Sequence, residues 1–311
     1  MTKWTEAALP DQSGRTVLIT GANSGLGLRS AMVLASKGAR VLLACRSAER
    51  GRRAVERVGA GGGRAEFVQL DLADLASVRS AAAEVRDRTG DALDVLINNA
   101  GVMAPPLGRT KDGFETQFGV NHLGHAALTW LLMPALRNSA TGAARVVAVS
   151  SQAHRFGRLD LADPNFETRR YRGWQAYGQS KLANLLFTRE LDRRARAAGL
   201  SLVSVAAHPG FAASELAPSM GRNHRSGLLE QASRVISSLV AQPVRQGALP
   251  QLYAATAPGV RGGEYYGPDG FGEVRGYPKR VAMSSAATDD HAAARLWELT
   301  ADLTGVTPDP A

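Results

Sequence analysis

The chain has 311 residues, 44% of them hydrophobic, which is enough for a large core, and no apolar run approaches the roughly 18 residues a bilayer span needs. Its formal net charge is +9, but the arginines are scattered among Ala and Glu, so neither nucleic acid nor a membrane surface is the expected partner. Cys45 is the single cysteine, which excludes an internal disulfide and a cysteine-based metal centre, and it reads as a small buried residue at a strand end.

The N-terminus, Met1 to Gly14, is polar and holds no apolar signal segment, so a cytoplasmic protein is expected. Arg15 to Thr20 is a short β-branched run followed at once by Gly21, and predicts a strand. A helix follows from Gly25 to Lys37, stopped by Gly38. Ala39 to Ala44 reads as a second strand and Ala48 to Val58 as a charged surface helix. After the flexible turn Gly59 to Gly63, Ala65 to Leu70 is a third strand. Leu75 to Thr89 is a helix with Asp74 as its cap, and Leu93 to Ile97 a fourth strand.

The alternation continues. Phe114 to Arg137 predicts one long helix, Arg145 to Val149 a strand, Trp174 to Ala198 a long helix and Leu202 to Ala206 a sixth strand. Strands joined by helices imply right-handed crossovers and a parallel sheet, and strands apolar nearly throughout imply helices on both faces. The expected architecture is a doubly wound α/β sheet forming a single domain over residues 1–311. After Pro209 the rhythm changes, and residues 211–242 suggest a substrate lid, with Gly221 and Gly227 as flexible points and Leu228, Leu229, Val235, Ile236, Leu239 and Val240 as apolar lining. Pro243 to Thr256 predicts a further helix and Gly263 to Tyr266 a last strand, Tyr265 and Tyr266 being core residues. Asp289 to Leu303 predicts an amphipathic helix docking through Leu296, Trp297 and Leu299.

Three groups of residues carry chemistry. The first is Thr20-Gly21-Ala22-Asn23-Ser24-Gly25-Leu26-Gly27, between the first strand and first helix. Glycines permit close backbone approach, and a helix N-terminus offers free N–H groups to a diphosphate. The second is Arg46, just past the second strand, at the place where a ribose-reading residue is found. No acid stands between Ala39 and Ala48, so Arg46 suits a 2′-phosphate better than a bare 2′-hydroxyl. The third is Tyr177-Gly178-Gln179-Ser180-Lys181, which puts Tyr177 and Lys181 on one helix face. A free tyrosine has a pKa of about 10, and a nearby ammonium favours its phenolate. Ser150 and Ser151 end the fifth strand and Asn98-Asn99-Ala100-Gly101 the fourth, so polar groups converge at the carboxyl edge of the sheet, with Asn121 on the helix between. His122 and His125 lie three apart on that helix without an evident third ligand, and no metal site is expected. His154, just past Ser151, reads as structural with substrate contact as the lesser alternative, and His208 suits packing or hydrogen bonding beside the cofactor. Arg169, Arg170 and Arg172, with Tyr171 and Trp174, form the densest basic cluster.

Taken in order from Thr20 to Gly210, these motifs resemble the short-chain dehydrogenase/reductase family. ACR at Ala44 to Arg46, VNHLGH at Val120 to His125, SSQAH at Ser150 to His154 and HPG at His208 to Gly210 resemble its retinol dehydrogenase-like branch. The resemblance implies a Rossmann-type fold and an NADP(H)-dependent oxidoreductase, with NAD(H) as the second cofactor, that interconverts a small hydrophobic ketone or aldehyde and its alcohol. It implies that Tyr177 is the general acid/base and Lys181 its electrostatic partner and a ribose contact. Ser151, rather than Ser150, would hold the substrate oxygen, and Asn121 a water leading from Lys181 to solvent. Gly21, Asn23, Ser24, Gly25, Leu26, Gly27, Arg46, Asp71, Leu72, Asn98, Ala100, Gly101, Pro209 and Gly210 would contact the cofactor, with Ser214 the nearby hydroxyl for the carboxamide. A homo-oligomer is compatible with the sequence. Two other readings stay open: a non-catalytic cofactor-binding regulator of the same fold, and a reductase of carbon–carbon double bonds.

Overall fold

A computed structural model of the chain describes residues 3–211 and 242–310. The expected lid, residues 211–242, therefore lies outside the described residues except at its ends, and Ser214 lies outside them as well.

Strands β1 (Thr16–Thr20), β2 (Arg40–Cys45), β3 (Arg64–Gln69), β4 (Val95–Asn98), β5 (Ala144–Val149), β6 (Leu202–Ala207), β7 (Tyr265–Pro268) and β8 (Pro278–Arg280) form one sheet in the order β3-β2-β1-β4-β5-β6-β7-β8. All pairings are parallel except that of β7 with β8. The order reverses between β1 and β4, which opens a crevice at their carboxyl ends. Helices α1 (Gly25–Ser36), α2 (Ala48–Gly59) and α3 (Leu75–Thr89) are followed by α4 (Thr116–Phe118), α5 (Gly124–Leu131), α6 (Met133–Arg137) and α7 (Gly173–Ala197). The chain ends with α8 (Val244–Gly247), α9 (Leu249–Thr256) and α10 (Asp290–Thr304).

The strand period of two divides the core into layers. Val17, Ile19, Val41 and Leu43 pack with Ala31 and Leu34 of α1 and Leu252 of α9. Leu18, Leu42 and Leu96 point the other way, onto Val78 and Val85 of α3, Leu128 and Trp130 of α5, Phe187 of α7 and Trp297 of α10. Both faces are covered, as the continuously apolar strands imply. Tyr265 and Tyr266 are core residues, 1% and 5% exposed, and Cys45 is buried at the end of β2, where burial pushes its thiol pKa up.

The predicted long helix from Phe114 to Arg137 is not continuous. Gly119–Leu123 forms a π-helical turn between α4 and α5, which brings an extra residue into the turn at Asn121. Leu132 then separates α5 from α6, at whose start Pro134 lacks an N–H to continue the ladder. At the C-terminus Leu296 and Trp297 dock as expected, but Leu299 is only half-buried, and Thr300 is the buried residue that meets His122 Nε2 at 2.9 Å. Strand β8 was not predicted; its Pro278 and two cations suit an antiparallel edge.

Trp297 stacks on Phe187 at 5.2 Å and meets Trp130 edge-on at 4.8 Å, so α10 is fastened to both α5 and α7. Trp297→Ala should lower stability by about 3–5 kcal/mol, and Trp297→Phe by clearly less, in urea unfolding. Equal, small losses for both would show that α10 adds little to the core.

Candidate active site

The glycine loop is built against the end of β4. Gly21 has φ +66°, and a Cβ there would lie 2.9 Å from Ala100 Cα. At Gly27 a Cβ would come within 2.6 Å of the Gly21 carbonyl oxygen and of Asn99 Nδ2. Helix α1 is left uncapped: the Ser24 side chain makes no capping bond, and no acid lies in the first turn. Ser47, Asp74 and Asp289, by contrast, cap α2, α3 and α10 with their side chains. The N–H groups and positive dipole end of α1 thus remain for an outside anion, which is the fit a dinucleotide diphosphate requires.

Thr20 and Asn99, which the sequence reading named within its motifs but gave no role of their own, hold this loop in place. Thr20 Oγ1 accepts hydrogen bonds from Asn99 N–H at 2.9 Å and Ala100 N–H at 3.0 Å. Asn99 Nδ2 donates to the Thr20 carbonyl oxygen at 2.8 Å. Asn98 behaves differently from Asn99: it is 4% exposed, and its Nδ2 donates to Thr129 Oγ1 at 3.0 Å within the core. The strand period explains this, since neighbouring side chains point to opposite faces. The signal was present in the paired asparagines, but the sequence did not say which one faces the loop.

Around the crevice, Arg46 is exposed just beyond β2, and its carbonyl oxygen accepts from Gln69 Nε2 at 2.6 Å. Asp71 Oδ1 accepts from Ala73 N–H at 3.0 Å, which stiffens the turn after β3 beside buried Leu72. Gly210 has φ +65°, and a Cβ on it would lie 2.3 Å from the Val274 carbonyl oxygen. His208, buried beside it, accepts from Gly210 N–H at 3.2 Å and meets Glu273 at 3.1 Å.

Ser151, Tyr177 and Lys181 converge. Ser151 follows β5 and opens a short 3₁₀ turn (Gln152–Phe156), while Tyr177 and Lys181 share a face of α7. Ser150 is buried, and its hydroxyl donates to the Lys181 carbonyl oxygen at 2.8 Å, which leaves Ser151 as the serine with a side chain toward Tyr177. Lys181 Nζ donates to the Val149 carbonyl oxygen at 2.9 Å and lies 5.6 Å from the Tyr177 ring centre. Asn121 Oδ1 accepts from Val102 N–H at 2.8 Å, and its Nδ2 donates to the Val102 carbonyl at 2.9 Å and to Ser180 Oγ at 3.0 Å. A Cβ on Gly101 would lie 3.2 Å from Asn121 Oδ1 and 3.5 Å from Lys181 Nζ, so these three residues meet at one point.

The electrostatics differ from the expectation that Lys181 would depress the Tyr177 pKa. Burial dominates and pushes the phenol up to about 12, with the Ser151 hydroxyl pulling the other way. Burial also lowers Lys181 to about 8. Desolvation penalises whichever form is charged, so it favours both neutral phenol and neutral amine. At neutral pH Tyr177 is a proton donor with a cation on the next helical turn.

His154 is structural rather than a substrate contact. It is fully buried, its Nδ1 meets the Ser151 carbonyl oxygen at 2.7 Å, and its Nε2 accepts from Ser284 N–H at 3.2 Å. Both ring nitrogens are thereby occupied, and the histidine anchors the backbone of Ser151. The basic cluster is likewise structural at Arg169, which lies 3.8 Å over Phe166 and donates to Gln179 Oε1 at 2.7 Å. Among the described residues no group of three or more His, Cys, Asp or Glu is arranged to hold a metal, and no helix is long and apolar enough to cross a membrane.

Comparison with known proteins agrees with this geometry. The sequence model of the short chain dehydrogenase family matches residues 15–224. Retinol dehydrogenase 12 of Homo sapiens is 42% identical over 297 residues, covering 94% of this chain and 87% of its own length. Dehydrogenase/reductase SDR family member 13 of Bos taurus is 43% identical over 303 residues, covering 95% and 74%. Among solved structures, an uncharacterized protein from Mycobacterium paratuberculosis superposes with a TM-score of 0.81 at 44% identity, covering 98% of each chain. A short chain dehydrogenase from Burkholderia cenocepacia in complex with NADP superposes at 0.60 with 25% identity, covering 80% of this chain and 93% of its own. An uncapped helix beside a glycine loop, a Ser–Tyr–Lys group at the same sheet edge and these relatives have one reading: the chain belongs to the short-chain dehydrogenase/reductase family, NAD(P)-binding oxidoreductases acting on CH–OH or C=O groups.

Proposed function

We propose that the protein reduces a hydrophobic ketone or aldehyde with NADP(H), or oxidises the corresponding alcohol, with Tyr177 as general acid/base. The observation that carries this reading is the convergence of Ser151, Tyr177 and Lys181 at the sheet edge that also holds the uncapped start of α1. When bound, the nicotinamide supplies or accepts the hydride. The α1 N-terminus with Gly21, Asn23, Ser24, Gly25, Leu26 and Gly27 would hold the diphosphate, and Arg46 the 2′-phosphate. Asp71 and Leu72 would border the adenine, and Ala100, Gly101, Pro209 and Gly210 the nicotinamide end. Asn98 contributes through its backbone, since its side chain is in the core.

Ser151 donates its hydroxyl proton toward the substrate oxygen and stabilises the charge that develops there. Tyr177 then gives its proton to that oxygen as the carbon accepts hydride, and the phenolate that forms is stabilised by the Lys181 ammonium. Asn121, held at both ends of its amide, borders Lys181 where a water returns the proton from solvent. A hydrophobic substrate is favoured by the surroundings of Tyr177. Trp174, 46% exposed, packs edge-on to it at 5.9 Å, and Phe156, 55% exposed, lies against Gly178.

Tyr177→Phe keeps the ring and removes the transferable proton, so turnover on a carbonyl substrate should fall by about 10²–10⁴ with cofactor affinity within about threefold. Near-normal turnover would require another acid. Arg46→Asp should weaken NADPH binding by about 10–100-fold relative to NADH, measured by calorimetry, because a charge-assisted contact becomes a repulsion. Equal affinity of the wild type for both cofactors would contradict the role of Arg46. Because Lys181 loses its proton near pH 8 while Tyr177 keeps its own to about 12, carbonyl reduction should be flat below that lower value and decline above it. A reduction rate that rises with pH through this range would contradict the assignment.

A further inference from the structure

His125 presents its two ring nitrogens to the two halves of the site. It lies at 4% exposure on α5, one turn after Asn121. Its Nδ1 is 3.0 Å from the Asn121 carbonyl oxygen, and its Nε2 is 2.8 Å from Thr20 Oγ1. A carbonyl oxygen only accepts, so Nδ1 carries the ring proton. Nε2 is then a bare lone pair, and the Thr20 hydroxyl donates to it. Its single proton goes to that nitrogen at 2.8 Å in preference to the Ile97 carbonyl oxygen at 3.5 Å, and Thr20 Oγ1 presents its lone pairs to Asn99 N–H and Ala100 N–H, which meet it at 2.9 and 3.0 Å.

The bond directions are therefore all set by one neutral imidazole. Burial lowers its pKa to about 4, and the nearby Lys181 charge acts in the same direction, so the ring remains neutral at physiological pH. A doubly protonated ring would donate from both nitrogens and turn the Thr20 proton away. Thr20 Oγ1 could then serve its two backbone donors only with its remaining lone pair. At the other end, Asn121 Oδ1 and Lys181 Nζ lie 3.2 and 3.5 Å from the position a Cβ on Gly101 would take.

We propose that His125 is a positioning residue, a strut locked in the Nδ1–H tautomer, that couples the placement of the glycine loop and β4 end to the placement of Asn121 beside Lys181. The inference rests on the oxidoreductase reading above, and its two ends can be cut separately. Glutamine places its amide near the position of Nε2, so His125→Gln can accept from Thr20 and loses Asn121. Asparagine places its amide nitrogen near Nδ1, so His125→Asn can donate to the Asn121 carbonyl and loses Thr20. His125→Phe keeps a ring and loses both.

The experiment combines nitrogen-15 NMR of histidine-labelled protein with NADPH affinity and kcat for each variant. The His125 signal, assigned by its loss in His125→Gln, should show a neutral Nδ1–H ring that does not titrate between about pH 6 and 8. His125→Asn should raise the NADPH Kd about tenfold with kcat at saturating cofactor within about threefold of the wild type. His125→Gln should do the reverse, and His125→Phe should show both losses. An Nε2–H or titrating ring would overturn the proposal, and this result does not depend on whether the variants fold. Folded Asn and Gln variants with the same pattern of loss, or with none, would overturn it too. A wild type with the predicted tautomer that binds no nicotinamide cofactor would instead refute the oxidoreductase reading on which the strut depends.

Discussion

The Thr20 hydroxyl is where three parts of the molecule meet. It closes β1, accepts two backbone N–H groups from the end of β4, and contacts His125 on α5. Each of these bonds contributes only about 0.5–1.5 kcal/mol net, but leaving one buried donor without a partner costs about 1–3 kcal/mol. The geometry is therefore narrow. It draws the loop against Ala100 so closely that Gly21 and Gly27 have no room for a Cβ. The start of α1, beside this loop, is uncapped at the crevice, where the diphosphate is proposed to lie.

The chemical half of the site depends on burial. Lys181 and Tyr177 are both enclosed, and desolvation moves them toward neutrality from opposite directions. Such a pair does not make a strong base at rest. It makes a phenol that keeps its proton, and in the proposed reaction that proton would pass to a carbonyl oxygen taking up negative charge. Around the pair the neighbouring polar groups are occupied: Ser150 by the Lys181 carbonyl, Asn121 by Val102 and Ser180, and His154 by Ser151 and Ser284. Those bonds hold the backbone of the reacting side chains rather than competing for substrate.

Much of this was legible in the sequence because short-range physics determines it. The parallel sheet follows from apolar runs that alternate with helical stretches, and α3 with its Asp74 cap is observed over Leu75–Thr89 as predicted. Asp74 works locally, and so does the i,i+4 spacing that brings Tyr177 and Lys181 together. What the sequence did not disclose depends on partners far along the chain. The π-turn at Gly119–Leu123 interrupts a segment whose composition is helical throughout. The role of Asn99 against Asn98 depends on how the chain leaves the end of β4 beside the glycine loop, and His154 faces Ser284 across an interval no local pattern spans. The shift of Tyr177 was misjudged for the same reason: spacing revealed the cation beside it, whereas the depth of burial that outweighs the cation is a property of the whole fold.

The central claim is the proposal that Tyr177 gives a proton to the oxygen of the same carbonyl group whose carbon takes up hydride. Its most direct measurement is the transfer of deuterium from NADPH labelled at the nicotinamide C4 to a hydrophobic aldehyde or ketone, followed by mass spectrometry of the alcohol. The account predicts deuterium on the carbinol carbon with the wild type, and its near-complete loss with Tyr177→Phe while labelled NADPH still binds. Label reaching the product equally in both proteins, or an alcohol formed without label, would contradict it.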